Sequence, residues 1–445
     1  MSYDWMPSGA LPNILQSHLW VRDRVVTGNT ISHSFDGKSR VLHLPHADIL
    51  FDIGDIIHNE EIMEKRIADG FRLVKGGPYF AEDTILKKFG PYFMASAHNL
   101  LTDTSAARHP DFAKTAGVRL CLDSGGAQLK FGITSYVDLQ EVMRIFNLFA
   151  HVGMALELPP RRKLSPIRDV DASPLALREL ARVQKRNNDY FAAHKRDDLQ
   201  LMNAAHGLTG DDFRRWIRIV DNPTFSGWAV SLDSDTDPYC IWRGAAVLFR
   251  EFGGADHWMH LFGVSGVNLL PLMAWLGKRI PNLTSDSSSW IQGVRSYKYL
   301  HNRYGRLGEI CIGEGFAKMP QANRDSLEPY CSCEICQMMK TFGAYCETFA
   351  NPSKKNPDAE SNLSYPALAA HNIIAIKQGV ESWNERASRM TYEEFQDEIE
   401  RCFTRPQKIL HMLEYLESAL ADGPEFADRH VAKDSGTQAF LSLTA

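Results

Sequence analysis

Long apolar runs are absent from this chain of 445 residues, and none approaches the roughly 18 apolar residues that a membrane helix needs. The first residues, MSYDWMPSGALPNILQ, lack a basic segment followed by an apolar one, so we expect no signal peptide. Both absences predict a soluble, cytoplasmic protein with no membrane partner.

An excess of basic charge is also absent. The net charge of −5 gives no overall sign of nucleic-acid binding, because dedicated binders carry a basic excess over a whole domain. Short basic clusters at 161–163 and 214–218 are either solvated faces or local contacts to a polyanion. We expect any nucleic-acid surface to be local, with these two clusters near the catalytic rim.

Cysteine is scarce, and eight residues in a chain of this length argue against a disulfide framework and for a reducing compartment. Three of the eight, Cys331, Cys333 and Cys336, are crowded together, and this spacing favours a metal site. With a fourth ligand they would form a closed zinc site, which is structural because it leaves no position for water or substrate.

From about residue 115 the sequence alternates short apolar runs with longer segments of helical periodicity. The expected strands are 118–123, 151–157, 199–204, 227–232, 257–263 and 282–286, and the expected helices are 173–194, 211–220, 241–252 and 267–276. Repeated units of this kind predict a parallel sheet with crossover helices. The length favours a closed (β/α)8 barrel over an open sheet, although periodicity alone does not separate the two.

Four segments are predicted along the chain. Residues 1–70 are assigned to an N-terminal antiparallel cap, because 24–58 alternate apolar and polar positions. The main (β/α) barrel is assigned to 71–330, a zinc-binding subdomain inserted late in the barrel to 331–380, and C-terminal helices to 381–445.

Two of the expected strands end in an aspartate. Asp123 is followed by a hydroxyl and two glycines, and Asp286 is followed by three serines. Catalytic side chains of a (β/α) barrel lie at the carboxyl ends of its strands. Each aspartate alone is equally consistent with a helix N-cap.

In their order along the chain, these features resemble the tRNA-guanine transglycosylase family. The family's Asp-Ser-Gly-Gly-aromatic-Gln motif is similar to 123–128, and its strand-six segment is similar to 260–264. Its three cysteines and distant helical histidine match Cys331, Cys333, Cys336 and His371. The resemblance spans residues from about 70 to 380. It implies an enzyme with a (β/α) barrel and a structural zinc site, which replaces guanine in a nucleic acid with a 7-deazaguanine.

The resemblance implies that Asp286 is the nucleophile and Asp123 the general acid/base. Replacing a base with retention at the sugar requires two inversions, so a carboxylate first attacks the anomeric carbon and expels guanine. The expelled base needs a proton and the incoming base must lose one, and a second carboxyl group can perform both transfers.

The resemblance also implies a set of base-binding residues: Glu157, Ser124, Gly125, Gly126, Gln128, His206, Gly207 and Phe262. Glu157 suits the guanine edge, since a carboxylate can accept hydrogen bonds from N1–H and the 2-amino group together. Its alternative role is to cap the following loop.

Three departures from the family pattern affect base recognition: Ala127 for the aromatic residue, His206 for Gln, and Ser231-Leu232 for glycines. Phe262 is then the remaining candidate to stack on the base.

The fourth zinc ligand and the acceptor both stay open. His371 is favoured as the ligand because it lies in a helical stretch that would attach the subdomain to the barrel, and Cys346 is the alternative.

The departures from the family pattern resemble the DpdA-type DNA transglycosylases, so we expect DNA and 7-cyano-7-deazaguanine as partners. The alternatives are a tRNA enzyme of the queuosine or archaeosine pathway and an inactive family member that only binds nucleic acid. A homodimer or an accessory protein is left open, and a zinc hydrolase is disfavoured because the cysteine cluster lies outside the expected strands.

Overall fold

The computed structural model describes thirteen stretches of the chain. These are residues 3–7, 92–97, 119–125, 138–156, 174–231, 237–253, 257–264, 266, 268–280, 282–287, 298–303, 306–311 and 359–431. Strands and helices alternate along most of this length, which makes the described part an α/β fold.

Eight strands form one parallel sheet. They are β1 Tyr3–Pro7, β2 Tyr92–Ser96, β3 Arg119–Asp123, β4 Val152–Met154, β5 Gln200–Ala205, β6 Gly227–Ser231, β7 Trp258–Phe262 and β8 Leu283–Ser287. The order across the sheet is β1-β8-β7-β6-β5-β4-β3-β2, and each neighbouring pair is parallel. The sheet curls so that β1 and β2, at the two ends of this order, approach one another. This arrangement is compatible with a partial (β/α)8 barrel.

A helix follows each of five consecutive strands, β3 to β7. These helices are α1 Leu139–Phe149, α2 Pro174–His194, α3 Gly210–Val220, α4 Cys240–Phe252 and α5 Leu270–Gly277. An antiparallel pair, β9 Lys298–Arg303 and β10 Arg306–Cys311, comes next. The described chain ends in α6 Ala359–Arg389, α7 Tyr392–Cys402, α8 Gln407–Ala421 and α9 Pro424–His430.

Local hydrogen bonds set several helix ends. The Thr209 hydroxyl accepts from the backbone N–H of Asp212, whose carboxylate accepts from the Thr209 N–H, so a capping box begins α3. Thr391 and Glu394 begin α7 in the same way. Helix α4 stops at Gly253, whose φ of 62° lies in the left-handed region that glycine adopts at little cost.

The sheet buries apolar side chains on both faces. A large cluster fills the space between the sheet and the helices, with Trp216, Trp242 and Phe146 among its largest members. A smaller inner cluster fills the concave side of the curled sheet: Met94, Cys121, Val152, Met154, Met202 and Ala229, with Trp258 and Phe262 packed against it. Side chains alternate between faces along a strand, so the inner cluster identifies which strand positions point inward.

The predicted parallel sheet with crossover helices is confirmed, and all ten predicted elements are present. The largest differences are in β4, which covers only Val152–Met154, and in α5, which begins three residues late at Leu270. Helix α1 and four strands, β1, β2, β9 and β10, were not predicted. Strand β2 precedes the first expected strand, and β1 lies within the range assigned to the cap although it pairs parallel with β8 in the main sheet.

The structure describes only part of the segments assigned to the other domains. The alternating segment 24–58 and the cysteine cluster at 331–336 lie outside the described residues. Helix α6 runs without a break across residue 380, so the boundary assigned between the zinc subdomain and the C-terminal helices falls inside one helix. A closed barrel stays a prediction.

Arg243 of α4 connects α9, one of the C-terminal helices, to the segment that follows β5. Its buried guanidinium binds Asp428 of α9 at 2.6 Å and Asp237 at 2.7 Å, and donates to the Leu208 carbonyl at 2.6 Å. Burial opposes the charge, but the hydrogen bonds to Asp428 and the nearby carboxylates outweigh it and raise the pKa of Arg243. The Tyr415 hydroxyl donates to the same carboxylate, so α8 is held as well.

Replacing Arg243 with Met should lower the free energy of unfolding by about 2 kcal/mol, because the Leu208 carbonyl and the partly buried carboxylates of Asp428 and Asp237 would lose their shared partner. Urea unfolding followed by circular dichroism measures the loss. The control is Arg144→Met, which removes an ion pair to Glu141 whose two side chains are 54% and 47% exposed. Equal losses in the two variants would contradict a stabilising role for the Arg243 network.

Candidate functional site

Asp286 stands at the carboxyl end of β8, with 12% of its side chain exposed. The backbone N–H of Gly263 donates to its Oδ1 at 2.8 Å. Gly263 follows the end of β7 with a φ of 70°, a conformation that residues with a Cβ rarely adopt. The turn after β7 therefore aims a backbone donor at the carboxylate of the neighbouring strand.

His260 of β7 is fully buried beside this carboxylate, with Nε2 3.3 Å from Asp286 Oδ1. Its Nδ1 is 2.8 Å from the Thr284 hydroxyl, which accepts a hydrogen bond from Trp258 Nε1 at 2.7 Å. His260 and Thr284 are direct partners in the parallel register of β7 and β8. A continuous polar chain thus runs from Trp258 through Thr284 and His260 to Asp286.

Phe262 lies next to this chain, as the last residue of β7. Its ring meets the His260 ring edge to face, with the centroids 4.8 Å apart. Phe262 also packs against the inner cluster, so it faces the concave side of the sheet. Its position beside the nucleophile candidate fits a ring that covers one face of a ligand.

Asp123 is the last residue of β3 and lies two positions after Cys121, a member of the inner cluster. The alternation of the strand therefore directs Asp123 to the concave face. The Gly125 N–H donates to Asp123 Oδ1 at 2.5 Å, and the Gly125 φ of 96° makes this tight turn possible. Ser124, between them, is buried.

The two aspartates are at the same edge of the sheet. Each lies on the strand next to an end of the sheet, where Met6 of β1 pairs with Asp286 and Ser96 of β2 pairs with Asp123. Because all these strands are parallel, their carboxyl ends meet at one edge, and the curl turns both aspartates toward the same concavity.

His206 and Gly207 follow β5 and make packing contacts with the helices. The buried His206 ring stands edge-on to Trp216 of α3, with a centroid distance of 4.9 Å. A Cβ at Gly207 would lie 2.7 Å from the backbone nitrogen of Phe213, so only glycine fits there. These contacts explain both residues structurally, and their base-binding role stays a prediction.

Several predicted site residues lie outside the described residues: Glu157, Gly126, Gln128, Cys331, Cys333, Cys336 and Cys346. Within the described stretches, no group of three or more His, Cys, Asp or Glu side chains is arranged to hold a metal ion. The proposed zinc site can therefore be examined only at His371.

His371 is buried where α6 packs against the β9–β10 pair. Its Nε2 donates to the Leu300 carbonyl of β9 at 2.5 Å, and its ring stacks on Tyr299 with a centroid distance of 4.0 Å. The neighbouring Asn372 accepts from the Leu300 N–H and donates to the Lys298 carbonyl, both at 3.0 Å. The two side chains fasten α6 to the edge of β9, in agreement with the expected helical location of His371.

The basic cluster at 214–218, expected to contact nucleic acid near the catalytic rim, is partly engaged in ion pairs. It lies on α3, where Arg214 binds Glu425 of α9 through both carboxylate oxygens, at 2.6 and 2.9 Å, and also Asp211. Arg215 and Arg218 line a groove between α2 and α3 on the outside of the sheet. Arg214 thus serves to attach α9. The cluster at 161–163 lies outside the described residues.

The fold and site define a class of protein: a parallel α/β protein with two aspartates at the carboxyl edge of a curled sheet. No protein-family model matches the chain, and no curated protein matches it. None of the helices within the described ranges is long and apolar enough to cross a membrane.

Sequence reasoning placed His260 in the strand-six segment without a role, and it did not identify Thr284 or Trp258. The signal was available in principle, because each is a polar or amphipathic residue at an inward-facing position of a predicted strand. A buried polar side chain at such a position needs a partner, but only the register of β7 and β8 shows which one.

Replacing Thr284 with Val should lower the free energy of unfolding by about 2 kcal/mol, because Trp258 Nε1 and His260 Nδ1 would lose their shared partner. Chemical denaturation of both proteins gives the difference. The matched control is Ser285→Ala, the next residue of β8, whose buried hydroxyl has no partner within the described residues. A loss in Ser285→Ala as large as in Thr284→Val would contradict the polar chain as its cause.

Proposed function

We propose that this protein is a base-exchanging glycosyltransferase that replaces guanine in DNA with a 7-deazaguanine, such as 7-cyano-7-deazaguanine. The proposal combines the resemblance of the motifs with one structural observation. Asp286 is a nearly buried carboxylate at the catalytic edge, and a backbone N–H holds one of its oxygens. A held and desolvated carboxylate is suited to covalent catalysis at a sugar carbon.

The first half-reaction breaks the bond between C1′ and N9 of the guanine nucleotide. An Asp286 oxygen forms a bond to C1′, the electron pair of the glycosidic bond leaves with the base, and Asp123 supplies the proton that the base needs. The product is an aspartyl–sugar ester and free guanine. Retention follows because a second inversion completes the exchange.

The second half-reaction installs the new base. The incoming 7-deazaguanine gives its N9 proton to Asp123, its N9 attacks C1′, and the electron pair of the ester bond returns to Asp286. Asp123 has then recovered its proton, and both aspartates are ready for another cycle. Phe262 is the proposed stacking surface for the base, with Glu157 reading the guanine edge.

Both aspartates lie at one edge of one sheet, which supports catalysis over the alternative of an inactive binding protein. The choice of DNA over tRNA rests on the sequence departures at Ala127, His206 and Ser231. In either acceptor the target base must leave its stack, which costs a few kcal/mol in a duplex. A closed barrel and a cytoplasmic location are part of the same proposal.

We propose a structural zinc ion held by Cys331, Cys333, Cys336 and His371. Metal-binding histidines commonly donate their second ring N–H to a backbone carbonyl. His371 Nε2 makes such a bond to Leu300, so Nδ1 is the nitrogen that would bind the metal. This arrangement supports His371 over Cys346, and the zinc would stabilise the fold without entering the reaction.

The proposed function predicts that the purified protein incorporates labelled guanine or 7-cyano-7-deazaguanine into guanine-containing duplex DNA. Asp286→Asn should abolish incorporation while circular dichroism stays unchanged, because an amide cannot form the ester. Unmodified tRNA is assayed in parallel. Incorporation into tRNA alone would refute DNA as the acceptor, and undiminished exchange by Asp286→Asn would refute the nucleophile.

The zinc proposal predicts one metal ion per chain, with metal content and folded yield lost together in Cys333→Ser. His371→Ala should lose the metal and Cys346→Ala should retain it, as measured by elemental analysis of the purified proteins. Full occupancy in His371→Ala with loss in Cys346→Ala would assign the fourth ligand to Cys346.

A further inference from the structure

His260 is the side chain that meets the carboxylate of Asp286, and neither the family motif nor the reaction scheme gives it a role. We propose that His260 is a positioning residue, which holds Asp286 so that Oδ2 attacks the sugar and which stabilises the carboxylate when it leaves. The inference rests on the proposed function of Asp286 as nucleophile.

The surrounding hydrogen bonds decide which ring nitrogen of His260 carries the proton. Trp258 Nε1 can only donate, so the Thr284 hydroxyl accepts from it. The hydroxyl hydrogen then has two acceptors in reach, His260 Nδ1 at 2.8 Å and the Met259 carbonyl at 3.4 Å. The shorter contact is to Nδ1, and a ring that accepts at Nδ1 carries its proton on Nε2 when neutral.

The environment of Nε2 leads to the same tautomer. Nε2 lies 3.3 Å from Asp286 Oδ1 and makes no well-aligned hydrogen bond within the described residues. A protonated Nε2 is attracted to the carboxylate, whereas the lone pair of an unprotonated Nε2 would be repelled by the negative charge. Contacts of this kind in unliganded sites often shorten when substrate binds.

Two donors therefore converge on one oxygen of Asp286. The Gly263 N–H and the His260 Nε2–H both face Oδ1, and no donor to Oδ2 is found in the described parts of the chain. Oδ2 is thus the oxygen assigned to bond with C1′. Oδ1 becomes the carbonyl oxygen of the ester and continues to face both donors.

The two donors affect the half-reactions in opposite directions. During attack, the C1′–Oδ2 bond forms as the C1′–N9 bond breaks, and negative charge leaves the carboxylate. During resolution, the electron pair of the C1′–Oδ2 bond returns to Asp286, and the donors stabilise the charge that develops on Oδ1. His260 keeps its proton throughout, since Asp123 carries the proton between the bases.

Loss of the His260 donor should therefore slow resolution of the ester more than its formation. We expect His260→Asn to resolve the ester about tenfold more slowly, which corresponds to about 1.4 kcal/mol. The ester should then accumulate. The amide of Asn can occupy the place of Nδ1 but does not reach Asp286, whereas the amide of Gln lies near the place of Nε2. His260→Gln should accordingly restore much of the rate.

The experiment measures the two half-reactions separately in single turnovers. Loading is the appearance of a denaturation-resistant complex with labelled duplex DNA, and resolution is its loss after free guanine is added. If the wild-type protein exchanges into tRNA alone, tRNA replaces DNA in both measurements. The control is His257→Asn, because His257 is exposed immediately before β7 and stacks on Phe252 outside the site.

A second measurement does not depend on activity. Nitrogen-15 NMR of histidine-labelled protein, assigned by comparison with His260→Asn, should show Nδ1 of His260 unprotonated and Nε2 protonated. Thr284→Val should weaken that preference because it removes the hydroxyl that donates to Nδ1.

Each outcome bears on a different claim. Slow resolution in His260→Asn with recovery in His260→Gln supports the inference. Resolution at the His257→Asn rate, or a proton found on Nδ1, overturns it and leaves the proposed function intact. A wild-type protein that exchanges base into neither DNA nor tRNA overturns the proposed function and the inference together.

Discussion

The parallel pairing of β7 with β8 is the constraint on which the candidate site depends. This register sets His260 opposite Thr284 and brings Gly263, after the end of β7, to the carboxylate of Asp286. A slip of one residue would turn every inward side chain of β8 to the outer face. The positions of the side chains in the candidate site therefore depend on the register of β7 and β8.

The concave side of the sheet changes character toward its carboxyl edge. Below the edge, the inner cluster is apolar and closely packed, with Met94, Met154 and Met202 among its members. Near the edge the polar groups Thr284, His260 and Asp286 appear, each bonded to or facing another. Burying unpaired polar groups is costly, so this chain of contacts allows a carboxylate and an imidazole to lie beside an apolar interior.

The C-terminal helices contribute to the same edge of the sheet from outside. Arg243 donates to the Leu208 carbonyl, two residues beyond His206, while it binds Asp428 of α9. Arg214 and Glu425 make a second link between α3 and α9. Helix α9 thereby braces the segment that follows β5.

The sequence by itself determined the α/β class, the strands from β3 to β8 with the helices α2 to α5 between them, and the presence of an aspartate at the ends of β3 and β8. These features are local, because periodicity, capping residues and glycine turns act over a few neighbouring positions. Strand β1 was out of reach since its partner, β8, is distant in sequence. Only the tertiary structure decided that Arg214 attaches α9 and that His260 faces Asp286. The same holds for Gly207, because Phe213 of the folded chain leaves no room for a Cβ there. Each of these facts depends on which elements are neighbours and in what register, and a buried polar group finds its partner only when the chain is folded.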